Sequence, residues 1–333
     1  MIPLAWIILI FVNIKILRTP RSTGFTKEQS QALRGISAIE IMLGHIAMYG
    51  DSAALFVFRK SGILFVGIFF ALSGYGLAYS ISEKADYLKG FVIKKVLALM
   101  IPAYVAYIIS LTGLSVQYSY RVFDEVARPF VFLRSVNWFI WELLALYVIT
   151  YICARIGALK KMHVIILVCS VVFIAIAFIF GLDNPWYGST LCFWLGVVYY
   201  EYKDSVLSGW FHDKVLLHTI ITLIVFLGAV ASFIILGDGS ILGNVIGRNL
   251  ASTSFVLILM LVLPYVQVEN RVSKWLGKIS FEIYLLHVAV VTLCQFLIKD
   301  LFFSSVVSIL VTVCVAYAFR CASGIIMKFI KRK

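Results

Sequence analysis

Two histidines lie deep inside apolar runs of this 333-residue chain, where an ionisable side chain is costly to keep. His45 follows Arg34 by eleven residues, which on a helix places the imidazole ~16 Å further along the axis on the same face. His287 follows Lys278 by nine residues, a depth of ~13 Å, and Tyr284 continues its polar face. A neutral imidazole is a competent base near pH 7. The pattern predicts catalysis by His45 as general base, with His287 as a second base or a group that orients the substrate.

Four further polar residues lie within apolar runs, near the histidines in depth or in sequence. Ser73 and Arg320 lie ~16 and ~12 Å from the nearest downstream lysine, at a depth similar to that of the histidines. Glu40 and Glu282 each precede a histidine by five residues, a rotation of about 140°, so neither need share its face. For both acids, pairing with a basic side chain is as good an interpretation as catalysis, the candidates being Arg320, Lys94 and Lys95. The cysteines and histidines lack metal-ligand spacing, and we predict no metal site.

The elements that carry these residues must be membrane-spanning helices. The chain is 62% hydrophobic and only 14% charged, with a mean hydropathy of +1.01. This composition is incompatible with a water-facing surface and excludes soluble enzymes, nucleic-acid-binding proteins and secreted disulfide scaffolds. We therefore expect an all-α integral membrane protein with a bundle of about eleven spans. They are 2–17, 36–50, 61–82, 91–113, 138–156, 163–181, 187–202, 215–236, 250–268, 279–298 and 302–327.

The basic residues of the connections predict the orientation of these spans. When alternate loops are assigned to opposite sides of the membrane, one side collects about three times as many Lys and Arg residues as the other. Because basic residues accumulate on the cytoplasmic face, the N-terminus is predicted outside and the C-terminus inside. The longest connection, about 114–137, is predicted to form an interfacial helix.

Four segments of the chain together resemble the acyltransferase family 3 membrane proteins. In chain order they are RGISAIEIMLGH (34–45), GIFFALSGYGLAYS (67–80), WFIWELLALY (138–147) and ISFEIYLLH (279–287). The resemblance covers roughly 30–325 and implies ten helices, which leaves the first span as an addition. The expected organisation is an anchor helix with a cytoplasmic loop (1–29), the family's membrane domain (30–327) and a basic cytoplasmic tail (328–333).

The resemblance implies a function, because members of this family O-acylate cell-surface polysaccharides, lipopolysaccharide and related glycans. We expect an acyl group, with acetyl the first choice, to move from cytoplasmic acyl-CoA to a hydroxyl of a cell-surface or lipid-linked saccharide. Acyl-CoA would be a donor substrate, with no cofactor bound permanently. The expected partners are membrane lipid and a saccharide or glycolipid acceptor, without nucleic acid. The expected location is the bacterial cytoplasmic membrane, in multi-pass form.

Candidate binding residues follow from the same segments. Arg34 is expected to hold phosphate oxygens of the donor at the cytoplasmic mouth, and Ser73, at the depth of the histidines, is a further donor-binding candidate. The family's basic pattern before a proline is represented here by Lys94 and Lys95, with Leu or Ala at the second basic position. For the acceptor we expect contacts from a group on the fifth span, namely Trp138, Glu142 and Tyr147. A belt of aromatic side chains at the membrane interface explains the aromatic members equally well.

Two other classes of function remain open at this stage. A transporter or flippase of lipid-linked glycans would use intramembrane His and Glu residues as proton relays. A non-catalytic subunit of a polysaccharide synthase would bind no acyl donor. Binding of acyl-CoA separates the enzyme from both.

Overall fold

The computed structural model describes residues 15–17, 24–50, 53–118, 138–207, 214–236 and 240–331, and nearly all of them are helical. The helices follow one another as α1 (Lys27–Ile46), α2 (Ala53–Glu83), α3 (Phe91–Tyr118), α4 (Trp138–Arg155), α5 (Met162–Ile179), α6 (Leu191–Leu207), α7 (Val215–Leu236), α8 (Arg248–Val262), α9 (Arg271–Lys278), α10 (Ser280–Leu297) and α11 (Leu301–Lys331). A π-helix, Leu242–Gly247, leads directly into α8. Two short antiparallel strands, β1 (Lys15–Ile16) and β2 (Val266–Gln267), form a sheet.

Eight helical stretches within the described ranges are long and apolar enough to cross a bilayer, which makes this a multi-pass membrane protein. They are Leu55–Glu83, Phe91–Leu111, Trp138–Arg155, Leu159–Ile179, Val215–Leu236, Leu242–Tyr265, Ser280–Leu297 and Leu301–Ser323.

The predicted spans 36–50 and 187–202 correspond to α1 and α6, which are helical but lie outside these eight. Helix α1 is less apolar than the eight stretches because four charged residues, Lys27, Glu28, Arg34 and Glu40, fall within its 20 residues. Helix α6 has only 17 residues. The count of eleven spans and the orientation of the termini stay predictions.

Two other predicted segments lie mainly outside the described residues. Of the predicted span 2–17, the structure describes only 15–17, where the backbone forms β1 and is extended instead of helical. Of the predicted interfacial helix at 114–137, it describes only 114–118, which continue α3.

Helix α1 carries Arg34 and His45, and its start is fixed by a capping box. The Thr26 hydroxyl accepts from the Gln29 backbone N–H, and the Gln29 side chain accepts in return from the backbone N–H of Thr26. The side-chain nitrogen of Gln29, Nε2, also donates to the backbone carbonyl of Leu263 at 3.1 Å. These bonds satisfy orphan donors of the first turn and tie α1 to the end of α8. The position of Arg34 and His45 along the axis of α1 is thereby fixed relative to α8.

Glycines let the neighbouring helices approach α1 and α2 closely. A Cβ at Gly277 in α9 would meet the carbonyl of Gln31 in α1, and one at Gly35 would meet the carbonyl of Ser273. In the same way, Gly196 in α6 lies against the carbonyl of Ala71 in α2. Small residues at such contacts are typical of membrane helices, because they let backbones pack without intervening side chains. The result is a tight group of α1, α2, α6 and α9, from which α10 continues with His287.

Candidate active site

His45, next to last in α1, meets His287 in the middle of α10. Their ring centroids are 4.8 Å apart with an interplanar angle of 62°. The predicted proximity of the two imidazoles is therefore confirmed, while their chemical roles stay predictions. His287 is 1% exposed, whereas His45 is half-buried. This makes His45 the member of the pair that a substrate reaches first.

The backbone of α10 fixes the tautomer of His287. Its Nδ1 lies 3.1 Å from the carbonyl oxygen of Ile283 and 2.8 Å from that of Tyr284. Because a carbonyl oxygen only accepts, neutral His287 carries its proton on Nδ1 and donates it there. Its Nε2 is buried and has no hydrogen-bond partner among the described residues. An unpaired acceptor is thus held beside His45, ready for a hydrogen-bond donor.

A cavity of about 690 Å³ opens above the two imidazoles, and we call it the histidine cavity. Trp138 of α4 and Tyr284 of α10 line it together with His45 and His287. Its volume is within the range of small-molecule sites, roughly 300–1,000 Å³. Three cationic side chains complete its wall, namely Arg59, Lys60 and Arg248.

A second cavity, of about 280 Å³, lies toward the other end of α1, and we call it the arginine cavity. Its polar lining comes from α1, α2, α3, α4 and the loop after α2, and consists of Arg34, Ser73, Ser80, Lys84, Tyr87, Lys95 and Tyr147. No Asp or Glu is among the described residues that line it. Three cations beside hydroxyl groups make a site suited to phosphate oxygens.

Three aromatic side chains pack together at the level of α2 between the two cavities. Phe69 of α2 lies midway between Val66, which lines the histidine cavity, and Leu72, which lines the arginine cavity. The Phe69 ring is 6.1 Å from the rings of both Phe139 and Tyr284, and the latter two are 5.1 Å apart. We call the cluster of these three rings, Phe69, Phe139 and Tyr284, the aromatic layer.

A comparison with known protein families shows to which family the chain belongs. The acyltransferase-domain family model matches residues 29–321, nearly the whole chain. The chain belongs to acyltransferase family 3. No curated protein and no solved structure gives a significant match. The resemblance of the four sequence segments is thus confirmed at the level of the family.

Most of the predicted donor residues of this acyltransferase-family protein come together. Arg34, Ser73 and Lys95 all line the arginine cavity. Lys94 does not belong to this group, because its ammonium donates to the carbonyl of Lys89 at 3.0 Å on the exposed side of α3. Adjacent helical residues differ by about 100° in direction, so only one of the two lysines can face the cavity.

The predicted acceptor residues are divided between different surroundings. Trp138 lines the histidine cavity. Tyr147 lies instead in the arginine cavity, beside Arg34 and Lys95. Glu142 is 3% exposed, lies against Thr190, and is not among the described residues that line either cavity. The three residues thus do not form one surface.

The supporting residues have structural partners. Arg320 donates from Nη1 to the Oε1 atom of Glu282 at 3.0 Å, which confirms the expected pairing. Glu282 is 3% exposed, and a buried carboxylate needs such a partner. Glu40 is also buried, on α1, and lies outside the described lining of both cavities. Tyr284 joins the histidine cavity to the aromatic layer.

Sequence reasoning missed four cations that line the two cavities. Lys84 follows Ser73 and Ser80 on one face of α2, and this spacing was readable as a polar stripe. Arg59, Lys60 and Arg248 lie near the ends of helices, where the sequence indicated only interfacial basic residues. Their convergence depends on how α2 and α8 pack, which no local pattern contains.

Proposed function

We propose that the protein transfers an acyl group, with acetyl the first choice, from cytoplasmic acyl-CoA to a hydroxyl of a cell-surface or lipid-linked saccharide. One observation carries the proposal, namely a contacting pair of histidines on the floor of a cavity in a chain of an acyltransferase family. We further propose that it acts in the bacterial cytoplasmic membrane, with the arginine cavity on the cytoplasmic side.

The donor is assigned to the arginine cavity. Arg34, Lys84 and Lys95 offer three positive charges to the phosphate groups of acyl-CoA, and the hydroxyl of Ser73 adds a donor. Because of these charges, we assign the phosphate groups of the donor to this cavity. Tyr147, first expected on the acceptor side, belongs in this proposal to the donor side.

The acyl group must then cross the aromatic layer. Arg34 and His45 are eleven residues apart on α1, or ~16 Å, a distance that the flexible thioester arm of CoA can extend along. Rotation of Phe69 or Phe139 opens the path between the cavities. In this arrangement the thioester carbonyl reaches the imidazoles while the phosphates stay with Arg34.

The reaction moves the acyl group from the sulfur of CoA to the acceptor oxygen, and it moves one proton from the acceptor hydroxyl to the CoA thiolate by way of His45. His45 takes the proton of the acceptor hydroxyl as its oxygen attacks the thioester carbonyl. The carbon–sulfur bond breaks, the ester forms, and the CoA thiolate receives the proton from His45. In this proposal Nε2 of His287, which has no hydrogen-bond partner among the described residues, accepts an N–H from His45 and orients it, and the hydroxyl of Tyr284 stabilises the oxyanion. Trp138 offers its face to the sugar ring.

The direct test of the donor assignment is equilibrium binding of radiolabelled acetyl-CoA to the purified protein. We expect saturable binding at one site per chain that unlabelled CoA displaces, since the phosphate-bearing part is common to both. His45→Ala should bind acetyl-CoA as the unmodified protein does, because His45 lies in the other cavity. Absence of saturable binding would contradict the proposal and favour a transporter or a non-catalytic subunit.

A further inference from the structure

Three cations surround the part of the histidine cavity that the acyl-transfer chemistry does not use. Arg59 and Lys60 come from α2, and Arg248 is the first residue of α8. Lys60 Nζ lies 5.2 Å from the centroid of the Phe233 ring, and Arg248 Cζ lies 4.4 Å from the same centroid. No Asp or Glu is among the described residues that line the cavity. Two like charges thus flank one aromatic ring beside a cavity without described acidic side chains.

The local backbone is built to present Arg248. The residue is buried, and it follows the π-helix Leu242–Gly247 immediately. A π-helical turn is rare and frequently marks a functional site, because the wider turn redirects the residues next to it. The carbonyl of Leu242 accepts from the Ser232 hydroxyl at 3.3 Å, which holds the π-helix against α7 beside Phe233. The backbone that carries Arg248 is therefore anchored, and the side chain is buried against Phe233.

A hydrogen-bond network anchors another part of the lining, the loop before α6. The amide of Asn249 donates to the carbonyl of Tyr187 at 2.7 Å, and the amide of Asn244 donates to the Tyr187 hydroxyl at 3.1 Å. That hydroxyl donates to Oδ1 of Asn184, a residue that lines the cavity. The loop before α6 is thus tied to the same π-helix that positions Arg248. The backbone that carries Arg248 is therefore anchored on two sides, by Ser232 and by Tyr187.

We infer that the histidine cavity recognises its acceptor through an anionic oxyacid group, a carboxylate or a phosphate, held by Arg248 and Lys60 with Arg59 at the edge. This inference rests on the proposed function, since it names the chemical class of the acceptor at the same site. An anion there relieves the repulsion between neighbouring cations and pairs with a guanidinium through two parallel hydrogen bonds. A neutral sugar provides neither effect. The acceptor hydroxyl then lies over His45 because the anionic group is held at the cationic wall.

Two sources share this chemistry, an acidic sugar residue and the phosphate of a lipid carrier. They are distinguished with three amphiphiles of equal tail, namely octyl glucoside, octyl glucuronide and octyl phosphate. Binding to the full chain is measured by calorimetric titration without acyl-CoA, in a polyoxyethylene detergent that contains neither sugar nor phosphate. Because no acyl transfer is needed for the readout, failure of the proposed chemistry and failure of this inference are seen separately.

We expect at least one anionic amphiphile to bind about tenfold or more tightly than octyl glucoside. Preference for the glucuronide identifies an acidic sugar, and preference for octyl phosphate identifies a carrier phosphate. Lys60→Gln and Arg248→Gln should each reduce the preference by about tenfold, whereas Arg248→Lys retains much of it. Lys299→Gln removes an equal charge from the exposed connection between α10 and α11, outside the described lining, and should leave it unchanged.

Equal binding of the three amphiphiles would overturn the inference. It would also be overturned if the anionic preference survived both Lys60→Gln and Arg248→Gln, or if Lys299→Gln reduced it as strongly as they do. Arg248 is buried, so its glutamine variant is compared only when it elutes as the unmodified protein does on gel filtration. If the Arg248→Gln variant does not meet this condition, the comparison rests on Lys60→Gln alone, because Lys60 is half-buried.

Discussion

Replacing His45 by alanine should lower the rate of acyl transfer by ~100-fold or more, because the reaction loses its general base. The change should leave folding intact, since His45 is half-buried at the edge of a cavity and is not enclosed by the core. The measurement is the rate of label transfer from acetyl-CoA into saccharide by the variant and the unmodified protein at equal abundance in the membrane.

His218→Ala is the matched control for this experiment. His218 lies on α7 and contacts the carbonyl of Lys214 at 2.8 Å through Nδ1, the same four-residue contact that His287 makes with Ile283. It is half-buried, as His45 is, and is not among the described residues that line either cavity. We expect its loss to leave the rate unchanged. Activity of His45→Ala within about threefold of the unmodified protein would exclude His45 as the base.

Replacing Arg34 by alanine should weaken acetyl-CoA binding by roughly tenfold to a hundredfold, which corresponds to the ~1.5–3 kcal/mol of a hydrogen bond to a charged group. Arg34 offers the fork of donors that matches phosphate oxygens, and it lines the arginine cavity with Lys84 and Lys95. Arg34→Lys should recover only part of the affinity, because an ammonium group cannot pair with two oxygens in the same way. Equilibrium binding of radiolabelled acetyl-CoA measures each effect.

Lys89→Ala serves as the control for the donor site. Lys89 is exposed in the loop between α2 and α3, at the same end of the molecule, but is not among the described residues that line the arginine cavity. Its loss removes a positive charge without removing a proposed phosphate ligand. Equal affinity in Arg34→Ala and Lys89→Ala would show that the donor binds elsewhere.

The proximity of His45 and His287 was predictable because depth in a membrane follows from residue count. Each histidine was placed by its distance from a basic residue at the membrane edge, and errors of a residue change the depth by only ~1.5 Å. Direction around the helix is less secure, since one residue of error rotates a side chain by about 100°. Lys94, which faces away from the arginine cavity, illustrates this sensitivity.

The separation of Tyr147 from Trp138 has a different physical reason. Tyr147 lies nine residues after Trp138, a separation of ~13 Å along α4, so the two residues reach different cavities even though they share a helix. The start of α1 was also displaced, because the apolar run begins near residue 36 while the capping box begins the helix at Lys27. Capping signals determine where a helix begins, and hydropathy determines only which part of it is buried in lipid.

The most direct measurement of the central claim uses sealed bacterial membrane vesicles that contain the protein with its cytoplasmic face outward. Radiolabelled acetyl-CoA, which does not cross the membrane, is added outside, and base-labile label on enclosed saccharide is measured. The account predicts labelled O-esters in these vesicles, about 100-fold less with His45→Ala, and none in vesicles of the opposite orientation. Equal labelling in both orientations, or labelling that persists without His45, would contradict it.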